Sequence, residues 1–199
     1  MPTYDADTLK FYDAQVPDYS AAGPRGTSRH LTGFIGLLPA NAKVLDLGCG
    51  SARDAKAMLE AGLEAHATDG SRSMALLAEA RLGQQVQVMR FDELRSVEEY
   101  DGVWASASLL HIPRPELPAT LSLVHRALKI GGLHHASYKA GGLEGRDSVG
   151  RYFSYLTADE MVRAYGDSGR WQILSVVEYD GGGYESGSGP WVAITTRRT

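Results

Sequence analysis

From Lys43 to Tyr138 the chain repeats one pattern: a short apolar run, a turn, then a helical periodicity. Val44–Leu47 is an apolar strand, and Ala52–Ala61 carries helix formers that stop at Gly62. Glu64–Thr68 is a second strand. Ser71 or Ser73 caps a helix bearing Met74, Leu77 and Leu82, which stops at Gly83. Gln85–Arg90 alternates Val86, Val88 and Arg90 as a strand does, and Tyr100–Ser106 is a fourth strand. Over Pro115–Lys129, Leu117, Leu121, Val124 and Leu128 share one helix face, with Pro115 and Pro118 in the first turn, where a missing N–H is tolerated. Gly131-Gly132 ends that helix, and Leu133–Tyr138 is a fifth strand. Strands separated by crossover helices line up parallel, with helices on both faces of the sheet.

The two ends of the chain obey other rules. Residues 1–40 hold no clear strand and form an N-terminal helical lid segment, with helices at Thr8–Gln15 and at Leu31–Leu38 before Pro39. Residues 41–199 form the main domain. Near its end, Thr157 and Glu160 make a capping box, with Leu156 and Met161 as a hydrophobic staple. Trp171–Tyr179 and Trp191–Thr196 then read as two strands joined by a glycine-rich loop. No helix lies between them, so they pair antiparallel. The expected fold is α/β, Rossmann-like: a seven-stranded, mostly parallel sheet with a C-terminal antiparallel hairpin and helices on both faces.

Composition narrows the function. A net charge of -4, with no run of Lys or Arg, gives no concentrated basic face for a nucleic-acid backbone. The lone Cys49 cannot close an internal disulfide, and the first residues lack both a basic region and an apolar stretch. No run approaches the roughly 20 apolar residues of a membrane span. A cytoplasmic protein is expected, without nucleic-acid or membrane partners. His134 and His135 are adjacent on a strand and face opposite ways, so they do not make a metal site.

The turn after the first strand is Asp46-Leu-Gly-Cys-Gly-Ser51. Its glycines let the backbone turn sharply and approach a ligand, while the following helix offers unpaired N–H groups. Asp69 ends the second strand 19 residues after Gly50, where a carboxylate accepts hydrogen bonds from ribose hydroxyls. Phe91-Asp92 ends the third, pairing an apolar ring with an acceptor, as an adenine requires. A dinucleotide turn needs a third glycine where Arg53 stands. Asp46, just before the glycines, suits an amine better than a pyrophosphate.

Val44-Leu-Asp-Leu-Gly-Cys-Gly-Ser51, Thr68-Asp69, Phe91-Asp92, Tyr100–Ser106 and the terminal hairpin together resemble a class I S-adenosylmethionine-dependent methyltransferase. Gly50-Ser-Ala-Arg-Asp-Ala55 is similar to the small bacterial tellurite-resistance-type enzymes. The resemblance implies S-adenosylmethionine as cofactor. It implies Asp46, Gly48, Cys49 and Gly50 at the methionine part, Asp69, Gly70 and Ser71 at the ribose, Phe91 and Asp92 at the adenine, and Ala105 and Ser106 beneath the methyl group. It also places Tyr12 and Tyr19 in a lid segment over the cofactor. The chain has Ala105-Ser-Ala-Ser108 where base-methylating relatives carry an Asn/Asp-Pro-Pro-aromatic motif. A small-molecule acceptor is therefore expected, methylated by in-line displacement.

Acceptor-side groups are expected from the ends of the fourth and fifth strands. His111, Tyr138 and Tyr152 are the catalytic candidates, while Lys139 reads as a solvated loop residue. Two other readings remain at this stage: a non-catalytic domain that binds the same cofactor, and an NAD(P)-dependent oxidoreductase.

Overall fold

The computed structural model describes residues 4–16, 26–183 and 186–199. Val44, Leu45 and Leu47 are buried on both sides of strand β1 (Lys43–Leu47), as an apolar run in a parallel sheet must be. β2 (Glu64–Asp69) and β4 (Tyr100–Ser106) flank β1 in parallel, and the two-residue β3 (Gln87–Val88) follows β2. β5 (Leu128–Lys139) lies beside β4. The hairpin strands β8 (Trp171–Gly183) and β9 (Ser186–Arg198) complete a seven-stranded sheet in the order β3-β2-β1-β4-β5-β9-β8. Only the pairings of β9, with β5 and with β8, are antiparallel, so the expected architecture is the observed one.

The helices are α1 (Ala6–Ala14), α2 (Leu31–Ile35), α3 (Arg53–Glu60), α4 (Arg72–Leu82), α5 (Leu117–Ala127) and α6 (Ala158–Gly166). Ser71 caps α4 by accepting from the Met74 N–H. Thr157 and Glu160 form the expected capping box on α6, with Leu156 and Met161 buried beside it. A two-stranded ribbon of β6 (Gly145–Arg146) and β7 (Tyr152–Phe153) follows β5 and had no counterpart in the sequence reading. Two apolar clusters fill the molecule. One is centred on Val103, Leu109, Leu121 and Tyr138, the other on Val44, Met58, Ala75 and Trp104. None of the described helices is long and apolar enough to cross a membrane.

Three boundaries differ from expectation for physical reasons. α3 starts after Ala52, whose left-handed φ of 55° is incompatible with a helix interior. α5 ends at Ala127, because Leu128 pairs with Tyr100 and extends β5 backwards through both glycines. The hairpin ladder runs on through its glycines, pairing Gly181 with Gly189 and Gly183 with Ser186. There the Trp191 indole donates to the Gly181 carbonyl at 3.0 Å, and a Cβ on Gly181 would meet the same ring at 3.0 Å. His134 and His135 do face opposite ways: His134 packs on Tyr165 and Trp171, and His135 stacks on Trp104 at 4.4 Å.

Candidate functional site

β1, β2, β4 and β5 all end at one cavity of about 360 Å³. That size suits a small-molecule site, and the carboxyl edge of an open α/β sheet is where ligands bind. The floor is the β1 turn. Gly48 has φ +80°, and a Cβ there would stand 2.5 Å from the Ser108 Cβ. Ser108 is fixed in turn by donating its hydroxyl to the Leu47 carbonyl at 2.7 Å. The turn is tied down by the Gly48 and Cys49 N–H groups, which both donate to the Thr68 carbonyl.

Asp46 faces this cavity almost fully buried, and its Oδ2 has no hydrogen-bond partner among the described residues. Burial, then the Asp54 and Asp69 charges, hold its carboxyl far above the usual range. A buried carboxyl oxygen without a partner is costly, so Oδ2 is placed for a cationic or donor group from a ligand. Asp69 accepts from the Gly50 N–H at one oxygen and the Ser71 N–H at the other, each at 2.8 Å. Each oxygen keeps a further lone pair for a ligand. Burial pushes the Asp69 pKa up to about 6, against those two N–H bonds. Cys49 is no nucleophile here: burial, Asp46 and Asp69 raise its thiol well above the ordinary value.

The opposite wall comes from elsewhere. His111 ends a short 3-10 turn, Leu109–His111, beyond β4. Its Nδ1 lies 2.6 Å from the Tyr152 carbonyl, which only accepts, so Nδ1 carries the hydrogen. Nε2 is left with a lone pair and accepts from the Tyr12 hydroxyl at 3.1 Å. Burial, helped by the Arg151 and Lys139 charges, lowers the His111 pKa to about 4 and keeps the ring neutral. Arg151 is buried beside it, donating from Nε and Nη2 to Asp147 at 2.9 and 2.7 Å.

α1 lies across the opening. Asp13 accepts from the Ser71 hydroxyl at 2.6 Å and from the Ser73 N–H at 3.1 Å, which fastens α1 to the start of α4. At its other end Asp5 pairs with Arg146 on β6 at 2.7 Å, and the Thr8 hydroxyl accepts from the Tyr152 N–H at 2.9 Å.

Of the residues expected at the cofactor, Asp46, Gly48, Cys49, Gly50, Asp69, Gly70, Phe91 and Ser106 all line the cavity. Ser71 lies behind Asp69, engaged with Asp13, and Ala105 is wholly buried beneath Ser106. Asp92 turns aside to pair with Arg90 at 3.0 Å. Tyr19 lies outside the described residues.

Two catalytic candidates are corrected. Tyr138 is sealed in the core with its hydroxyl toward Tyr165, because alternation along β5 turns it away from Lys139. The Tyr152 hydroxyl is engaged by Glu144, and only its backbone serves the site, by orienting His111. Lys139 is not a solvated loop residue. It is 9% exposed at the end of β5, with its ammonium 4.1 Å from the Phe153 ring centroid.

The sequence reading missed Asp13, Ser108 and Trp191. Their partners lie 58 residues or more away along the chain in the first two cases, and no local pattern marks them.

Residues 44–132 match a family described as a methyltransferase domain. No curated protein matches the chain by sequence. Among solved structures, an S-adenosylmethionine-dependent methyltransferase of Methanosarcina mazei superposes with a TM-score of 0.76 at 16% identity, over 87% of this chain and 98% of that one. The 1,6-didemethyltoxoflavin-N1-methyltransferase of Burkholderia thailandensis, solved with 1,6-didemethyltoxoflavin and S-adenosylhomocysteine, gives 0.68 at 19% identity, over 100% and 93%. TehB of Haemophilus influenzae gives 0.70 at 14% identity, over 94% and 67%. Residues 44–132 thus match a methyltransferase domain, and the chain shares its fold with these solved methyltransferases.

Proposed function

We propose that this chain transfers the methyl group of S-adenosylmethionine, in line, to a small-molecule acceptor held in the same cavity. The observation that carries the reading is one cavity with two chemically distinct ends: Asp46 on the β1 turn, with its Oδ2 unpartnered among the described residues, and the neutral His111, whose Nε2 meets the Tyr12 hydroxyl. The residues present fit the cofactor. Asp46 would meet its ammonium group, Asp69 its ribose hydroxyls and Phe91 its adenine, while the bare Gly48 leaves room for its methionine part. When bound, S-adenosylmethionine supplies a methyl group that is already electrophilic.

The protein's own tasks are then alignment and exclusion of water. α1 acts as a lid. From α1, Thr8, Leu9 and Tyr12 line the cavity, and Asp13 and Asp5 hold the helix at both ends. His111 Nε2 takes the proton of an acceptor that has one to lose when that group replaces the Tyr12 hydroxyl on it, and the Tyr152 carbonyl fixes its tautomer. The Burkholderia neighbour, which acts on a small molecule, supports this acceptor class.

Calorimetry with S-adenosylhomocysteine tests the donor end. Micromolar binding is expected, and Asp69→Ala weakens it by about 10²-fold through the loss of charge-assisted hydrogen bonds. Heat with a nicotinamide dinucleotide and none with S-adenosylhomocysteine overturns the reading. Turnover of methyl-labelled cofactor against a metabolite pool tests the transfer itself. Binding without any transfer would make the chain a non-catalytic binding domain.

A further inference from the structure

One side-chain oxygen from the lid stands at the heart of the acceptor end. The Tyr12 hydroxyl donates to His111 Nε2 at 3.1 Å, and the two rings meet edge to face with centroids 5.6 Å apart. The same hydroxyl oxygen accepts a hydrogen bond from the Arg151 guanidinium. Arg151 is 2% exposed and is anchored by Asp147 at 2.9 and 2.7 Å. Burial works against its charge, yet the Tyr12 oxygen and Asp147 hold its pKa above the ordinary value. A negative oxygen at the Tyr12 position and the Arg151 charge therefore stabilise each other.

The oxygen thus lies between a nitrogen that accepts and a cation that only donates. A group filling that position must give one hydrogen and offer one lone pair. A hydroxyl does both, whereas an ether has no hydrogen to give and an ammonium has no lone pair and is repelled by Arg151. Once the proton has passed to His111 the oxygen is negative, and Arg151 is already placed to hold it. The acidity of the hydroxyl also matters. A phenol ordinarily ionises near pH ~10, and an alkanol holds its proton far more firmly. His111, kept neutral with a pKa lowered to about 4, is a weak base and suits the more acidic of the two. Aromatic rings surround the position: Phe11 packs on Tyr12 at 5.5 Å and Phe153 on His111 at 4.7 Å between centroids.

Building on the methyltransferase reading above, we propose that the acceptor is a phenol, whose hydroxyl displaces that of Tyr12 and sits between His111 Nε2 and Arg151. Tyr12 is then an internal mimic of the acceptor, filling the oxygen site until a substrate takes it. In the transfer, the O–H bond breaks and its proton goes to His111 Nε2. An oxygen lone pair forms the bond to the methyl carbon, and the carbon–sulfur bond breaks with its electron pair left on sulfur. A positive charge leaves sulfur as one appears on the imidazole, so the net charge of the cavity does not change. The products are an aryl methyl ether and S-adenosylhomocysteine.

The test uses phenol, anisole and aniline as calorimetric probes on the full chain saturated with S-adenosylhomocysteine. Anisole cannot donate to His111. Aniline can, but its lone pair is spread into the ring and accepts poorly from Arg151. Phenol should bind about tenfold or more tightly than either. Tyr12→Phe keeps the ring and removes the competing hydroxyl, so it should tighten phenol binding a few-fold while anisole stays within about twofold. The proposal is overturned if anisole or aniline equals phenol, if phenol binds to neither the native chain nor the variant, or if Tyr12→Phe leaves phenol binding as it was or weakens it. Failure of the native chain to bind S-adenosylhomocysteine would instead strike the underlying reading. In that case phenol against anisole on the ligand-free chain still decides the nature of the oxygen site.

Discussion

On the proposed function the cavity has a donor end and an acceptor end, and the two are built in different ways. The donor end is local: Asp46, the Gly48–Gly50 turn and Asp69 sit at the tips of neighbouring strands, each within a residue or two of a regular element. The acceptor end is composite. Tyr12 comes from α1, His111 from the turn after β4, Lys139 from β5, Arg151 and Phe153 from the β6–β7 ribbon, and Trp191 from the hairpin. The donor end therefore rests on the sheet itself, whereas the acceptor end draws each side chain from a different segment. Substitutions can break or sharpen that contrast.

The largest effect is expected at Gly48. An alanine there would be strained at φ +80° and would bring its Cβ to 2.5 Å from the Ser108 Cβ. Strain of about 1–3 kcal/mol, together with displacement of the turn, should remove measurable S-adenosylhomocysteine binding. Adding Ser108→Gly to Gly48→Ala takes away the atom it strikes and should restore part of the affinity. No recovery in calorimetry would mean that the backbone angle, not the contact, is what Gly48 is needed for.

At the acceptor end, His111→Gln should lower kcat by about 10²-fold or more while leaving S-adenosylhomocysteine affinity unchanged within about twofold. Calorimetry and turnover on the same preparation separate the two. Equal losses in both would show that the two ends are not independent. They would then be read as one unit coupled through Tyr12 and α1, which touch both.

The same contrast explains what was legible in the sequence. The strands, the hairpin, the caps of α4 and α6 and the carboxylates Asp46 and Asp69 follow from local signals: apolar runs, a capping serine or threonine, and an acid at a strand tip. Lys139 was misread because its burial depends on Phe153 and Trp191, which reach it only through the folded ribbon and hairpin. Tyr138 was misread because a tyrosine at the end of a strand looks the same whether alternation turns it to the cavity or to the core. His111 lines the cavity, and its tautomer is set by a backbone carbonyl 41 residues on, which no sequence pattern reveals.

The smallest expected effect is the most discriminating, because two consequences of one substitution run in opposite directions. Asp13 holds α1 against the α4 cap through the Ser71 hydroxyl and the Ser73 N–H, so Asp13→Asn should weaken S-adenosylhomocysteine binding a few-fold at pH 8, on the order of 1 kcal/mol. Yet Asp13 also faces Asp69 and helps to raise its pKa. A ribose diol binds best to the ionised carboxylate. Affinity in the native protein should therefore hold above pH of about 6 and fall as pH drops through that value, because Asp69 takes up a proton there. Removing the Asp13 charge lets Asp69 stay ionised to lower pH, so the midpoint of the fall should move down. The variant loses affinity at pH 8 and retains a larger share of it at pH 5. Calorimetric titrations across that range read both effects. A midpoint that stays fixed would mean that Asp13 acts only as a mechanical fastening of the lid and has no electrostatic hold on the ribose site.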